Sequence, residues 1–582
     1  MADYPTDTIL ALDFGASNTR AALFDVVEGA YRFVACGEAP STAKPPFLDI
    51  SEGMRHAIFE LQAVTGRIVM DQSAQLILPA TPDGTGIDIV VVTSSVGPAA
   101  RALLVGLLPE VSVESARRLA GSSYITVKDT LSLGDRRKEE KQFDAVVNAD
   151  PELIFIAGGT DNGSREALLK LLDTVSLACL LLPSGQSPRV LYTGNPLLKD
   201  KVTELFTNIG PVYTAANIQP ELGEEVFGPA RVELAKIMSE LRLGQIGGLQ
   251  ALTQINGGGL QPTAQAEGQI VRYFNRATNS SGGVLGVNVG SAATSIAAAF
   301  QGELHLSVRA DLGVGMNSGN LLTETTVDQF TRWLPFETSA TAVREFILNK
   351  SVYPHTVPAE VADLHWEYAL AREVLRAALR TAQARWPAQV LGPRSDLLPR
   401  MDLILGSGAV LSHAPRPALA AMLLLDALQP IGVTNLLLDP HHLLAALGAL
   451  THTHPMTVVQ ALDGALLSLG MVFSVVGDAR LGNVVCTAKL VSDTGGETTV
   501  DVKFGSLEVL PLPLGQDGKL TLKPRAGVDV GFGPGRGKTV SVSGGAVGLI
   551  VDARGRPLVF PKAADKRQAL VADWIRKMGG SV

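Results

Sequence analysis

The chain opens with short apolar runs that are separated by small polar residues. One run ends at Gly15, and a second, 19–25 (TRAALFD), starts after a few small residues. This spacing predicts a tight β-hairpin. A strand is expected next at Tyr31–Cys36, and then a helix over 50–62, where apolar residues recur every three or four positions.

Farther along, apolar runs that end in small-residue turns alternate with segments of helical spacing. The runs Ile87–Val92, Leu153–Ala157 and Arg189–Thr193 each precede such a turn and a helix-like segment. This alternation is typical of α/β layers around a largely parallel sheet.

A second strand and hairpin begin at Val284 and run to Val308. They follow glycine- and serine-rich residues at 257–259 and 279–283, where we place a domain boundary. A helical stretch (about 357–387) comes next, and then a strand, Asp402–Leu405, that ends in another glycine-rich turn.

After about residue 467 the apolar pattern changes to a period of two, with glycine-rich turns between the runs. This predicts an all-β region that closes with a helix, Ala564–Lys577. The expected domains are therefore 1–283, a first lobe with an insertion; 284–460, a second lobe; and 467–582, a C-terminal β domain.

Composition narrows the class of protein. The net charge of −8 over 582 residues argues against a nucleic-acid partner, because phosphate neutralisation needs a basic surface. Mean hydropathy is positive (+0.22), yet the most apolar stretch, Ala418–Leu450, is interrupted by acidic residues, prolines and histidines, which argues against a membrane span. The opening residues have no basic segment typical of a secretion signal, and three distant cysteines suit a reducing compartment. We expect a cytoplasmic protein.

The first hairpin turn has the composition of a phosphate loop. Gly15, Ala16, Ser17, Asn18 and Thr19 place backbone N–H groups and small polar side chains where phosphate oxygens can be held, and Asp13 at the strand end is a candidate Mg²⁺ residue. The alternative is an ordinary hairpin with a polar turn. The second hairpin repeats the layout with Asn288, Gly290, Ser291 and Thr294.

Two such hairpins about 270 residues apart, followed by a late glycine-rich turn and a closing helix, resemble the superfamily of actin, sugar kinases and DnaK-type chaperones. The resemblance implies a two-lobed actin-like ATPase fold of the α/β class, with ATP and Mg²⁺ between the lobes. The third turn would be Gly406, Ser407 and Gly408, and the closing helix 439–450.

Within that superfamily the chain most resembles the glutamate mutase L family, which is unrelated to the mismatch-repair proteins called MutL. The family is taken to contain ATP-dependent chaperones or reactivases that exchange damaged cobalamin, which implies a cobalamin-dependent mutase as protein partner. The chain itself has no cobalamin-ligand motif D-x-H-x-x-G. The motifs that carry the resemblance are 93–97 (TSSVG), 156–163 (IAGGTDNG), 193–195 (TGN), 217–221 (NIQPE), the second hairpin, and 310–313 (ADLG) with Asn317.

The second hairpin departs from the family pattern D-x-G-G-A-T-T-D. Asn288 and Ser295 stand where the pattern has aspartates, and Ser291 and Ala293 replace a glycine and a threonine. Loss of a catalytic acid or base typically lowers a rate by about 10²–10⁴. We therefore expect phosphate binding with slow or absent hydrolysis.

The turn Gly158, Gly159, Thr160 and Asp161 is a further candidate, because it follows a strand and precedes a helix whose N-terminus could hold an anion. Asp161 is then a spare catalytic carboxylate beside Asp13. The alternative is a structural turn in which Asp161 caps the helix.

Two other classes of function remain open. The altered second loop and the added β region suit a non-hydrolysing actin-like scaffold, or a homo-oligomer that assembles from copies of the chain. A small-molecule kinase would need a substrate-facing carboxylate, for which Asp311 is the candidate. The run 531–539 (GFGPGRGKT) resembles a Walker A loop, but Phe532 and the lack of a following helix favour a plain turn.

Overall fold

The computed structural model describes residues 7–163, 165–183, 187–256, 259–278, 282–391 and 397–582. Part of the expected domain boundary, 257–258 and 279–281, lies outside the described residues. The strands are β1 (Ile9–Phe14), β2 (Asn18–Val27), β3 (Ala30–Pro40), β4 (Ile89–Ser94), β5 (Ala100–Gly106), β6 (Ile125–Ser132), β7 (Leu153–Ala157), β8 (Arg189–Tyr192), β9 (Val212–Thr214), β10 (Leu260–Pro262), β11 (Gly283–Val289), β12 (Thr294–Phe300), β13 (Glu303–Arg309), β14 (Met401–Ser407), β15 (Gly432–Leu438), β16 (Leu467–Ser474), β17 (Val484–Ser492), β18 (Glu497–Lys503), β19 (Leu507–Leu510), β20 (Asp517–Pro524), β21 (Lys538–Ser543) and β22 (Gly548–Asp552). The α-helices are α1 (Ser51–Thr65), α2 (Glu114–Ala120), α3 (Glu139–Ala149), α4 (Glu166–Cys179), α5 (Lys199–Phe206), α6 (Gly228–Gln245), α7 (Leu249–Asn256), α8 (Thr263–Ala277), α9 (Val327–Thr331), α10 (Ala340–Val352), α11 (Val361–Gln383), α12 (Ala409–Ser412), α13 (Pro417–Leu428), α14 (Leu444–Leu450), α15 (Pro455–Ala465) and α16 (Ala564–Lys577).

Two sheets of the molecule share one strand order. The first runs β3-β2-β1-β4-β10, and the second contains β13-β12-β11-β14-β15. In the first sheet, β3, β2 and β1 are antiparallel neighbours, and β4 and β10 run parallel to β1. In the second sheet, β13, β12 and β11 are antiparallel neighbours, and β14 and β15 run parallel to β11. The hairpins β1–β2 and β11–β12 therefore occupy the same place in two copies of one α/β fold, which confirms the two-lobed architecture expected from the sequence.

Strand β1 is apolar from Ile9 to Leu12 because both faces of its sheet are covered, and its first polar side chain is Asp13 near the strand end. On one face of β1, Leu10, Leu12 and Phe14 pack in a cluster with helix α1. On the other face, Ile9 and Ala11 pack in a cluster shared with the second lobe. Alternate strand residues point to opposite faces, so a strand of a sheet that is covered on both faces has apolar residues at successive positions and not only at alternate ones.

Helices α8 and α14 cross where the two lobes meet. A Cβ atom added at Gly448 of α14 would lie 1.8 Å from the carbonyl oxygen of Ala266 on α8, so only glycine permits this close approach. The closing helix is shorter than expected from the sequence. It begins at Leu444, after Asp439 has accepted hydrogen bonds from the N–H groups of Leu443 and Leu444.

The insertion in the first lobe forms a sheet of its own. Strands β5 to β9 are all parallel and lie in the order β6-β5-β7-β8-β9, between β4 and β10 along the chain. This is the doubly wound order 2-1-3-4-5. Its turns carry the 158–163 segment, so that segment belongs to the inserted sheet and not to the sheet of β1.

The C-terminal region is divided between two sheets. Strands β16, β22 and β19 extend the second lobe's sheet to eight strands, whereas β18-β17-β20-β21 form a separate antiparallel sheet. Helix α16 packs into the core of the second lobe through Val571, Trp574 and Ile575. Residues 467–582 are therefore in part an integral layer of the second lobe and in part the added β sheet.

A buried ionic network joins this C-terminal layer to helix α13. Asp426 accepts hydrogen bonds from Arg372 (2.7 Å) and Arg554 (2.5 Å), and Asp552 accepts from Arg554 (2.8 Å) and Arg556 (2.9 Å). All five side chains are at most 5% exposed. Burial alone raises the pKa of Asp552, but the guanidinium groups of Arg554 and Arg556 hold it well below its usual range.

Candidate functional site

The two hairpin turns have the same geometry and face each other across a cleft. The N–H of Gly15 donates to the carbonyl of Asn18 (2.9 Å), and the N–H of Gly290 donates to the carbonyl of Ala293 (3.0 Å). A Cβ at either glycine would approach the accepting oxygen to 2.8 Å or 2.7 Å, closer than real Cβ atoms come. The cleft volume is about 120 Å³. Its lining includes these predicted residues: Asp13, Gly15, Ala16, Ser17, Asn18, Asn288, Gly290, Ser291 and Gly408.

Four hydroxyl groups of the two turns have no hydrogen-bond partner among the described residues. The oxygens of Ser17, Thr19, Ser291 and Thr294 are buried and unsatisfied. An unmade hydrogen bond of this kind costs about 1–3 kcal/mol. Ser17 and Ser291 line the cleft, while Thr19 and Thr294 lie at the first positions behind the turns. The two serines that line the cleft, one on each turn, suit a ligand that presents oxygen atoms to both turns.

Asp13 lies at the end of β1, where it is held by two threonines. One of its carboxylate oxygens accepts from the hydroxyls of Thr93 on β4 (2.7 Å) and Thr263 on α8 (2.9 Å). Burial raises the pKa of Asp13, and the two hydrogen bonds and Arg20 oppose that rise. The sequence therefore places a fixed carboxyl group at the bottom of the cleft.

Glu267 is the functional candidate that the sequence analysis missed. It lies on α8 inside the cleft, where it accepts hydrogen bonds from the amide of Asn288 and from the hydroxyl of Ser295 (3.3 Å). Those are the two positions at which the second hairpin lacks the family's aspartates. The structure thus brings a carboxyl group from a neighbouring helix to the place where the loop has none.

The environment of Glu267 favours its neutral form. Burial raises its pKa to about 8, with Asp13 and Asp439 adding to the rise and Asn288 opposing it. A sequence signal for this residue does exist. Ala264, Glu267 and Ile270 are three positions apart on α8, so the glutamate interrupts a buried helix face.

The third glycine-rich turn reaches the cleft only at its last residue. Gly408 has a φ of 106°, and a Cβ there would lie 2.3 Å from the carbonyl oxygen of Val289. Gly406 and Ser407 are buried behind it and do not line the cleft, and the hydroxyl of Ser407 donates to Asp439 (3.2 Å). This turn therefore supports the second hairpin from behind.

The structure does not bring Gly158, Gly159, Thr160 or Asp161 to the cleft. They follow β7 in the inserted sheet, and the amide of Asn217 donates to the carbonyl of Gly159 (3.0 Å) and the carboxylate of Asp161 (2.9 Å). The expectation that this turn joins the nucleotide site, with Asp161 as a second catalytic carboxylate, is corrected on this geometry. The local pattern of strand, turn and helix is the same in both sheets, so it could not distinguish them.

Two other candidate ligand-binding features from the sequence already have hydrogen-bond or ion-pair partners within the protein. Asp311, the candidate of a small-molecule kinase, is paired with Arg309 at 2.8 Å. In the Walker-like segment, a carboxylate oxygen of Asp529 accepts from the N–H groups of Gly531, Phe532 and Gly533. A side chain of the protein thus already occupies the backbone donors that a phosphate would need.

No group of three or more His, Cys, Asp or Glu side chains within the described ranges is arranged to hold a metal ion. Mg²⁺ commonly binds through one or two carboxylates together with substrate phosphates and water. Asp13 is therefore compatible with a metal that arrives with a nucleotide, and the donor set does not form a metal cage of the protein alone.

The replacement Glu267→Gln tests the electrostatics of the cleft independently of any ligand. The folded pKa of Glu267 lies near 8 and the unfolded value near 4.5, so the folded state binds the extra proton between these pH values and its stability falls as pH rises. We expect Glu267→Gln to be more stable than the parent at pH 8, by about 1 kcal/mol or more, and equal to it near pH 4.5. Urea unfolding from pH 5 to 8 measures the difference.

The matched control is Glu60→Gln, at an exposed position of α1. Its stability curve should run parallel to that of the parent chain. A Glu267→Gln curve that is also parallel to the parent would show that Glu267 is ionised in the folded state at neutral pH.

The repeated sheets and the facing hairpin turns define an actin-like protein with its cleft between two lobes. The chain belongs to the MutL protein family, whose model matches residues 9–466. It is also 28% identical over 214 residues to "Protein MutL" of Clostridium tetanomorphum, an alignment that covers 36% of this chain and 44% of that protein. The chain thus spans less than half the length of this curated relative.

Three solved structures show a more distant likeness. They are a nucleotide-free acetone carboxylase (11% identity, TM-score 0.34, 76% of this chain and 70% of that one), the Acidaminococcus fermentans (R)-2-hydroxyglutaryl-CoA dehydratase component A (8%, 0.26, 78% and 99%) and a glycerol dehydratase reactivase (10%, 0.27, 72% and 94%). At these values the class of fold rests on the strand order described above. Of the helices in the described ranges, none has both the length and the apolar character needed to cross a bilayer.

Proposed function

We propose that the chain binds ATP with Mg²⁺ in the cleft between its lobes and acts as an accessory protein of the chaperone or reactivase type. The observation that supports this is the pair of turns with the same geometry, which place the unsatisfied hydroxyls of Ser17 and Ser291 in the cleft that also contains Asp13 and Glu267. Asp13 would hold water molecules of the Mg²⁺ shell. The metal, when bound, would neutralise phosphate charge.

Glu267 could serve as the general base for ATP hydrolysis, a group that the second hairpin itself does not contain. Its carboxylate would accept a proton from the water that attacks the γ-phosphorus, while the bond to the β-phosphate oxygen breaks and ADP and phosphate leave. Asn288 and Ser295 would fix the carboxylate in position by their hydrogen bonds. We therefore propose slow ATPase activity in place of a purely structural nucleotide site.

The proposed cycle includes a movement of the lobes. The cleft volume of about 120 Å³ is below the roughly 300–1,000 Å³ of typical ligand pockets, so a nucleotide requires a wider cleft. Helices α8 and α14 form the contact about which the lobes would open. Such an opening changes the affinity for a partner only if the partner contacts the two states differently.

Family membership makes a cobalamin-dependent mutase the first protein partner to test. The direct assay is recovery of activity by an inactivated mutase on addition of this chain, fresh cobalamin and ATP. Recovery that needs ATP supports the reactivase role, and recovery without nucleotide contradicts it.

Calorimetric titration of ATP with Mg²⁺ tests the cleft itself. We expect one site per chain, with affinity lowered about tenfold or more in Ser17→Ala plus Ser291→Ala, because each hydroxyl lost removes a hydrogen bond to a charged oxygen. Ser351→Ala, a change on α10 away from the cleft, should bind as the parent does. No binding by the parent at millimolar ATP would refute the nucleotide site.

A further inference from the structure

A second and much larger cavity lies between the inserted sheet and the second lobe. Its volume is about 1450 Å³, and none of the described residues that line it also lines the cleft between the hairpin turns. Helix α2 and the start of α6 form one side, and α8, strand β13 and the end of α11 form the other. The cavity is large enough for a ligand of nucleotide or coenzyme size.

The charges that line this cavity are predominantly positive. Among the residues that the structure describes, its lining contains five arginines and two glutamates. Two arginines are neutralised locally, because Arg118 pairs with Glu225 (2.7 Å) and Arg400 with Asp402 (3.1 Å). The other glutamate, Glu303, is exposed.

The other three arginines, Arg231, Arg272 and Arg385, have no ion-pair partner among the described residues. The Nε atom of Arg231 is also buried without any hydrogen-bond partner. A guanidinium group has five N–H donors, so most donors of this trio stay available for a planar anion. Their hydrogen bonds go, in order, to the carbonyl of Leu304 (2.9 Å), the carbonyl of Gly302 (3.0 Å) and the hydroxyl of Ser307 (3.3 Å).

These unpaired charges affect one another. Burial lowers the pKa of Arg231 to about 10; the exposed Glu303 opposes this fall and Arg272 adds to it. In the same cavity, burial and the charge of Arg231 lower the pKa of His305 to about 4, although the nearby carboxylate of Glu225 partly opposes this fall. Uncompensated positive charge in a partly buried cavity is unfavourable, and a bound anion would offset it.

One wall of the cavity is aromatic. Phe300 and Trp386 pack edge to face with ring centres 5.5 Å apart. The neighbouring strand β13 cannot readily accept an added peptide strand, because the N–H of Val308 already donates to Gly121 (2.7 Å) and the carbonyl of Leu304 accepts from Arg231. This favours a small ligand over an extended polypeptide.

We propose that this cavity binds an organic anion of nucleotide or coenzyme size. Its phosphate or carboxylate groups pair with Arg231, Arg272 and Arg385, and its apolar part lies beside Phe300 and Trp386. The site is distinct from the nucleotide cleft. It places a ligand in contact with both the insertion and the second lobe, so occupancy would fix their relative position.

The test uses the fluorescent organic anion 8-anilinonaphthalene-1-sulfonate, which combines a negative group with aromatic rings, on the full chain. We expect one molecule bound per chain and competition by inorganic pyrophosphate. Arg272→Gln and Arg385→Gln should each weaken binding about tenfold, since each removes a charge-assisted pair. Arg272→Lys, which keeps the charge, should lose less.

The controls separate this site from the cleft. Arg344→Gln, an exposed change on α10, and Asp13→Ala in the cleft should leave the affinity for the probe unchanged. Loss of binding in Asp13→Ala with retention in Arg272→Gln would overturn the proposal, as would several equivalent sites insensitive to both arginine changes. Binding of an oligoglutamate peptide without binding of the small anion would also overturn it, in favour of a polypeptide ligand. Because ATP binding is measured separately, failure of the proposed function would not be confused with failure of this site.

Discussion

Replacing Asp552 by asparagine is expected to lower the free energy of unfolding by about 3–5 kcal/mol, the usual range when one partner of a buried ion pair is removed. The parent network sets two carboxylates against three guanidinium groups, all buried. After Asp552→Asn, Asp426 is the only carboxylate left in the network, and it pairs with Arg372 and Arg554. The positive charge that remains cannot reach water, so the folded state bears the full desolvation cost.

The matched control is Asp144→Asn, which removes the carboxylate of an exposed pair with Lys141 (3.0 Å) on α3. Exposed pairs contribute about 0–1 kcal/mol, so its unfolding curve should nearly coincide with that of the parent. Urea unfolding followed by tryptophan fluorescence reports the unfolding of the second lobe, because the Cζ atom of Arg554 lies 4.9 Å from the ring centre of Trp574. Equal curves for the two variants would show that the network contributes little to stability.

Glu267→Gln should reduce phosphate release by about 10²–10⁴ if Glu267 accepts the proton of the attacking water. The amide can still accept the hydrogen bond from Asn288, so nucleotide affinity should change little. In the parent, turnover should rise with pH up to about 8, because only the ionised carboxylate can accept a proton. The variant should lose this dependence.

Single-turnover phosphate release and calorimetric ATP titration on the same samples separate these effects, with the exposed Glu60→Gln as control. Equal rates and equal pH profiles in the parent and Glu267→Gln would assign Glu267 a structural role. Loss of ATP binding in Glu267→Gln would instead show that the carboxyl group supports the shape of the cleft.

The two hairpin turns were predictable because their geometry is local. Gly15 and Gly290 are required by a four-residue turn, and the small residues beside them leave room for a ligand. Glu267 was not predictable in this way, since 21 residues separate it from Asn288 and only the crossing of α8 over the second hairpin brings them together. The sequence of the second hairpin has no carboxylate, whereas the folded structure places the carboxyl group of Glu267 beside it.

The local sequence pattern also does not show which sheet a strand joins. The turn after β7 has the glycines and the carboxylate of a ligand loop, but strand pairing assigns it to the inserted sheet. The period-two pattern of the C-terminal region correctly indicates strands. It cannot indicate that β22 pairs in parallel with β16, whose paired residues lie 78 positions earlier (Gly470 with Gly548), because such pairing depends on contacts distant in sequence.

The position of β22 between β16 and β19 has a consequence for synthesis on the ribosome. The inserted sheet uses strands from residues 100 to 214 only, so it can fold while more than half of the chain is still being made. The second lobe cannot complete its sheet, or neutralise Asp426 fully, until Arg554 and α16 have emerged. Until then, the apolar strands β11 to β15 lack part of the sheet and core that cover them in the folded protein. We therefore expect this lobe to be the part of the nascent chain that most needs protection from aggregation.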